Sequence, residues 1–240
     1  MVDYNRKSAI RYANTYCKRT CDCNQHYDGA PPDTTPGQTQ LGGGEQEAGD
    51  CAHFLSHCLE AGGISNRNDS NSDGQCSKGK YIVTVQKLHK WLIEKKFANE
   101  TNWSDLKAGD LIFFKSRSHV MIHIGQKKFS GHTNYSNGVT IDPNDVECLH
   151  IIGEPLVFYF YASWSPTSKR QIPELNTLQN SLGEYISIKY IDLQEQPQLK
   201  EQYSLKVIPT ILILKNGRIL HQFEGFTNAN IIEKSLNPLI

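Results

Sequence analysis

Between Asp50 and Gly63 the chain reads Asp-Cys-Ala-His-Phe-Leu-Ser-His-Cys-Leu-Glu-Ala-Gly-Gly, and no other stretch constrains the fold as strongly. Cys51, Phe54, Leu55, Cys58 and Leu59 recur at helical spacing, so one face of a helix must pack on a core. Asp50 is a good N-cap and Gly62-Gly63 a ready stop. Cys51 then falls in the first turn. There the unpaired backbone N–H groups and the positive end of the helix dipole favour a thiolate and can hold an oxyanion. A small buried thiol is the other common use of such a position.

The rest of the composition narrows the field. The 25 basic and 25 acidic residues cancel, so no charge field draws in nucleic acid or an anionic membrane. No apolar run approaches a membrane span. The polar start Met1-Val2-Asp3-Tyr4 lacks the apolar core of a signal peptide, which predicts a cytoplasmic protein or one exported by a specialised secretion system. Seven cysteines, an odd number, leave at least one without a partner in the chain. Cys17, Cys21 and Cys23 crowd together near His26, but C-x3-C-x-C lacks the paired spacing of a zinc site. No metal and no cofactor are expected; ordinary reduced thiols are preferred over a disulfide among these three and Cys76.

In chain order, residues 3–17 read as a helix capped by Asp3, with Ala9, Tyr12, Ala13 and Tyr16 on one face. Residues 28–49 form a long loop rich in Gly, Pro, Thr and Gln, taken as a lid over Cys51. Residues 65–80 form a polar loop. Its Asp69, Asn71, Asp73 and Gly74 mimic half of a calcium hand, but Lys80 stands where the bidentate glutamate belongs. A helix over Thr84–Phe97 buries Leu88, Trp91 and Leu92. Strands follow at 111–114, at 119–124, before His132 and at 138–142. Along 119–124, Val120, Ile122 and Ile124 face the core, while His119, Met121 and His123 face the other way, toward a cleft.

A cysteine-bearing helix followed by a small antiparallel sheet with histidines is the order of parts in papain-like hydrolases. The thiol needs a base within reach and a third group to orient that base. The motifs are Tyr4-Asn5-Arg6 with Ala9 and Tyr12-Ala13; Asp50-Cys51 with Phe54, Ser56, Cys58, Leu59 and Gly62-Gly63; Leu106-Lys-Ala-Gly-Asp110-Leu-Ile-Phe-Phe; His119-Val-Met-Ile; and Phe129-Ser-Gly-His132-Thr-Asn134. On these, residues 4 to about 150 resemble the amidase branch of the NlpC-type papain-like cysteine peptidases. The resemblance implies Cys51 as nucleophile, His119 as general base and His132 as third member. It also implies cleavage of amide bonds in cell-wall peptides. His123 is a rival base, and Asn134 and Asp142 are rival orienting groups. His53 departs from the family, which has a small or amide residue there.

Gly153-Glu154-Pro155 breaks the pattern, and strands and helices then alternate as in an α/β domain. Residues 155–240 resemble thioredoxin. Trp164-Ser165-Pro166-Thr167-Ser168-Lys169 stands where that family has W-C-x-x-C-K. Val207-Ile-Pro209-Thr210 stands at its cis-proline loop, and Tyr159 at its buried aspartate. Residues 155–240 hold no cysteine, and a hydroxyl cannot carry thiol–disulfide exchange. A redox-inactive module that binds a protein partner is expected.

The expected whole is an α+β papain-like domain at 1–152 and an α/β thioredoxin-like domain at 155–240. Its expected activity is a cysteine amidase acting on peptidoglycan stem peptides, in recycling or as a secreted antibacterial effector. The alternatives are a protease or isopeptidase acting on proteins, and a silent adaptor built from two decayed enzymes.

Overall fold

A computed structural model describes residues 3–17, 21–23, 50–132 and 136–240, the side chains of Asp50, Ser136 and Asn137 excepted. The lid expected over 28–49, together with His26 and Asn134, lies outside these residues, as does the capping role given to Asp50. The chain divides into two compact units, residues 2–152 and 153–240.

In the first unit, helix α1 (Arg6–Tyr16) is capped by Asn5, whose side chain accepts from the Ser8 N–H at 2.8 Å; Asp3 is not the cap. Helix α2 (Asp50–Ala61) ends as its glycines predict. Gly63 takes φ +100°, its N–H reaches Glu60, and the Ile64 N–H reaches Leu59 at 2.8 Å. The Asn5 N–H donates to the Gly62 carbonyl at 2.7 Å, fastening the start of α1 to the end of α2. A short hairpin, β1 (Gly74–Cys76) and β2 (Gly79–Tyr81), occupies part of the expected polar loop. Three-residue strands that each hold a glycine show no readable period. The calcium-like acids are engaged by the chain around them: Asp73 accepts from the Val83 N–H and the Thr84 hydroxyl just ahead of the next helix, and Asp69 from the Asn71 N–H.

Helix α3 (Val85–Glu94) buries Val85, Leu88, Trp91 and Leu92. A six-stranded antiparallel sheet follows, made of β3 (Ala98–Thr101), β4 (Leu111–Phe114), β5 (Val120–Gly125), β6 (Lys128–Gly131), β7 (Ser136–Val139) and β8 (Val146–Ile151). Its order is β3-β8-β4-β5-β6-β7. Strands β3 and β8 were not expected, because Glu100, Glu147 and His150 break the apolar alternation. Glu147 is instead bound by Arg117, and His150 by Asp110. Strand β7 ends three residues before the expected 142, and Asp142 caps a 3-10 turn by accepting from the Asn144 N–H at 2.9 Å.

One buried polar cluster locks α1 to the sheet. Arg6 and Asp110 are both fully buried and paired at 2.7 Å. Arg6 also donates to the carbonyls of Ala108 and Ile151, and Asp110 accepts from the Lys107 and Ile151 N–H groups and faces His150. Burial pushes the Asp110 carboxyl up, but Arg6 and then His150 outweigh it and hold it below the usual range.

The second unit is a four-stranded sheet of order β10-β9-β11-β12, made of β9 (Leu156–Tyr161), β10 (Ser187–Asp192), β11 (Thr210–Lys215) and β12 (Arg218–Glu224). Strands β9 and β10 run parallel; the other pairs are antiparallel. Helices α4 (Pro166–Leu182) and α6 (Ala229–Leu236) pack on one face over Val157, Tyr159, Ile211 and Ile213. Helix α5 (Gln198–Gln202) supplies Leu199 to the other, over Phe160, Leu212 and Leu214.

Candidate functional site

Cys51 is the second residue of α2 and is fully buried. Helix α2 packs on β5 and β6. These strands are antiparallel, with Ile122 opposite Ser130, so the residue before β5 and the residue after β6 share one end of the ladder. Those residues are His119 and His132. The fold therefore brings both predicted histidines to one end of the hairpin that α2 covers.

Their side chains part there. His132 stacks on Phe54 of α2 with ring centres 4.1 Å apart, and its Nε2 lies 2.7 Å from the Tyr16 carbonyl. His119 is half-buried, with its Nε2 only 3.3 Å from where a Cβ on Gly131 would stand. Its Nδ1 is buried without a hydrogen-bond partner among the described residues. The expected orienting bond from His132 to His119 is not formed: Nε2 of His132 is spent on α1. Burial pushes the His119 imidazole down to about 4, so its resting form at neutral pH is the uncharged one that can accept a proton.

The rival candidates are placed as well. His123 is buried, and its Nε2 accepts the Lys127 N–H at 3.0 Å inside the β5–β6 turn, so that nitrogen is already engaged by backbone. Asp142 is a turn cap. Nor is the His119 side of the sheet an open cleft face: Met121 sits in a core cluster with Ile112 and Phe129.

A second constellation was not expected. Cys23, His53, His57 and Cys76 are all buried, and one donor atom from each lies within 4.8 Å of every other. Three of these separations are His53 Nε2 to His57 Nε2 at 3.1 Å, Cys23 Sγ to His53 Nε2 at 3.8 Å, and Cys76 Sγ to His57 Nε2 at 3.9 Å. All seven cysteines are buried as thiols, so the disulfide alternative is not realised. A hydrogen bond with Cys21, followed by those with His53 and His57, holds the Cys23 thiol far below its ordinary value despite burial. Sequence spacing hid this set. Only His53 and His57, one turn apart on α2, are neighbours in the chain, and the expected cluster of Cys17, Cys21 and Cys23 contributes a single member.

In the second unit, Ser165 is the N-cap of α4, its hydroxyl accepting the Ser168 N–H at 3.3 Å. The Tyr159 hydroxyl donates to the Ser168 carbonyl at 2.6 Å. The Ile208–Pro209 bond is cis. Beside it a groove of about 340 Å³ is lined by Trp164, Leu193, Leu205, Val207 and Ile208, among others. Trp164 stands 65% exposed at its edge.

Comparison with known proteins adds the family. Residues 3–152 match the family described as "Putative amidase domain". The chain belongs to that family. The amidase-family unit is followed by a match to thioredoxin over residues 147–238. Thioredoxin Y2 of Arabidopsis thaliana is 31% identical over 87 residues, which are 36% of this chain and 52% of the plant protein. Thioredoxin of Bacillus subtilis is 30% identical over 78 residues, 32% of this chain and 75% of the bacterial protein. The chain thus spans about half the length of the plant relatives it matches. Among solved structures, a malarial protein aligns at 29% identity and a TM-score of 0.35, covering 36% of this chain and 98% of its own.

Proposed function

We propose that the amidase-family unit is a cysteine hydrolase of amide bonds, with a papain-like arrangement of parts. The observation that carries this reading is the placement of Cys51 in the first turn of α2 while His119 and His132 share the adjoining end of the β5–β6 ladder. In the proposed reaction, neutral His119 takes the Cys51 proton as the sulfur attacks the amide carbonyl. First-turn N–H groups of α2 stabilise the oxyanion, and His119 returns the proton to the departing amine. Water then cleaves the thioester to release the acid and restore the thiol. His132 acts from the α1 side, holding the end of β6 against Phe54.

The substrate class to try first is the cell-wall stem peptide, which rests on the resemblance of the motifs around Cys51, His119 and His132. The second unit, which has no cysteine of its own, would offer the groove beside Pro209 to an extended peptide of a protein partner. Its role as a docking module would suit either wall recycling or a secreted antibacterial effector. Digestion of purified sacculi by the protein and by its Cys51→Ala variant, with mass spectrometry of released fragments, tests the reading and names the bond. Fragments from the parent alone support it; equal release by both refutes it.

One observation favours a different reading, a silent adaptor: Cys51 is fully buried. An adaptor predicts no fragments from any wall or protein substrate and a Cys51 that iodoacetamide leaves unmodified at neutral pH.

A further inference from the structure

We propose that Cys23, His53, His57 and Cys76 hold a structural zinc(II) ion that clasps the segment following α1 and the β1–β2 hairpin to helix α2. Two sulfurs and two imidazole nitrogens are a complete donor set for tetrahedral zinc. Bond lengths of about 2.3 Å to sulfur and 2.0–2.1 Å to nitrogen give ligand–ligand edges of about 3.3–3.8 Å on a tetrahedron. Three donor pairs, at 3.1, 3.8 and 3.9 Å, straddle those edges, and every pair lies within 4.8 Å. Two thiolates neutralise the ion, which suits a site whose four residues are each at most 4% exposed. A mixed sulfur and nitrogen set disfavours magnesium or calcium, and four protein ligands leave no open position for catalysis.

The surroundings fit the same assignment. A ligating histidine needs a partner for its other nitrogen. His57 Nδ1 faces the carboxylates of Asp22 at 3.8 Å and Glu60 at 4.0 Å. Glu60 in turn accepts from the Tyr81 hydroxyl at 2.6 Å, and Asp22 is paired with Lys78 of the hairpin turn. The Ser77 hydroxyl donates to the Cys23 carbonyl at 2.8 Å, joining the two ligand-bearing segments directly. The ion would close contacts between residues 30 and 19 positions apart in sequence. It would do so two residues after Cys51. A zinc held there fixes the first turns of the helix that carries the proposed nucleophile.

The test is metal analysis of the full chain, purified without chelating resin from zinc-supplemented cells and passed through gel filtration. About one zinc per chain is expected, falling to trace levels in Cys76→Ser and in His57→Gln, and unchanged in Cys148→Ser. Because either ligand variant could misfold, the parent protein is also exchanged with cobalt(II) alone. Intense tetrahedral d–d bands with thiolate charge transfer are expected. Absence of retained zinc, an octahedral cobalt spectrum, or a Cys23–Cys76 disulfide by mass spectrometry would each overturn the assignment.

Discussion

At the scale of single residues, burial makes a few groups either reactive or indispensable. Arg6 and Asp110 are a fully buried pair, so removing one partner strands the other charge. Arg6→Met should cost about 3–5 kcal/mol in denaturant unfolding of the first unit. A loss below about 1 kcal/mol would mean that the pair is dispensable. His119 gives a second prediction with a definite sign. Burial pushes its folded-state pKa down to about 4, below the ordinary histidine value of 6.5, so the folded state resists a proton that the unfolded chain accepts. Its contribution to stability is fully present above about pH 6.5 and is lost as the pH falls through 4. The urea midpoint of the first unit should therefore decline over that window, and His119→Gln should flatten the decline. A parallel decline in the variant would assign the effect to other groups. Asp110, also depressed, acts lower, its contribution being lost below the ordinary carboxylate range.

At the scale of elements, helix α2 is where sequence and structure agreed best. Its apolar stripe, its cysteine in the first turn and its glycine stop were all legible, because a buried helix repeats its signal over three turns. Gly62 shows how tightly that stop is built: a Cβ there would lie 2.3 Å from Cε2 of Tyr4, whose hydroxyl is anchored to the Gly109 carbonyl. Gly62→Ala should lower stability by about 1–3 kcal/mol through overpacking, as read by the shift in denaturation midpoint. An unchanged midpoint would contradict the close approach of α1 to α2. The β1–β2 hairpin was illegible because its strands are too short to show a period. Strand β8 was illegible because its polar positions are satisfied by partners far away in sequence, Arg117 for Glu147 and Asp110 for His150. The four-residue metal cluster failed for the same reason, its members coming from three segments. In the candidate site, sequence put Cys51 in the first turn of α2, where it lies, and His119 and His132 on strands, whereas they flank β5 and β6, one residue before and one residue after. It did not foresee that His132 turns to Phe54 and the Tyr16 carbonyl, which depends on how α1 meets the sheet.

At the scale of the whole molecule, two units with separate cores predict separable behaviour. If zinc clasps only the first unit, chelation should lower one thermal transition and leave the other, assigned to the thioredoxin-like unit, in place. A shift of both or neither would argue against that division. With serines at positions 165 and 168, the full chain should show no dithiol-dependent reduction of insulin disulfides, and measurable reduction would refute the inactive reading of this unit. The claim on which the functional account stands is covalent chemistry at Cys51. Its most direct test is rapid-quench intact-mass analysis with a synthetic stem peptide, followed by peptide mapping. The account predicts a transient acyl adduct on Cys51 that precedes product and is absent from Cys51→Ala. Product formation that persists in Cys51→Ala, with no adduct on Cys51 in the parent, would contradict it.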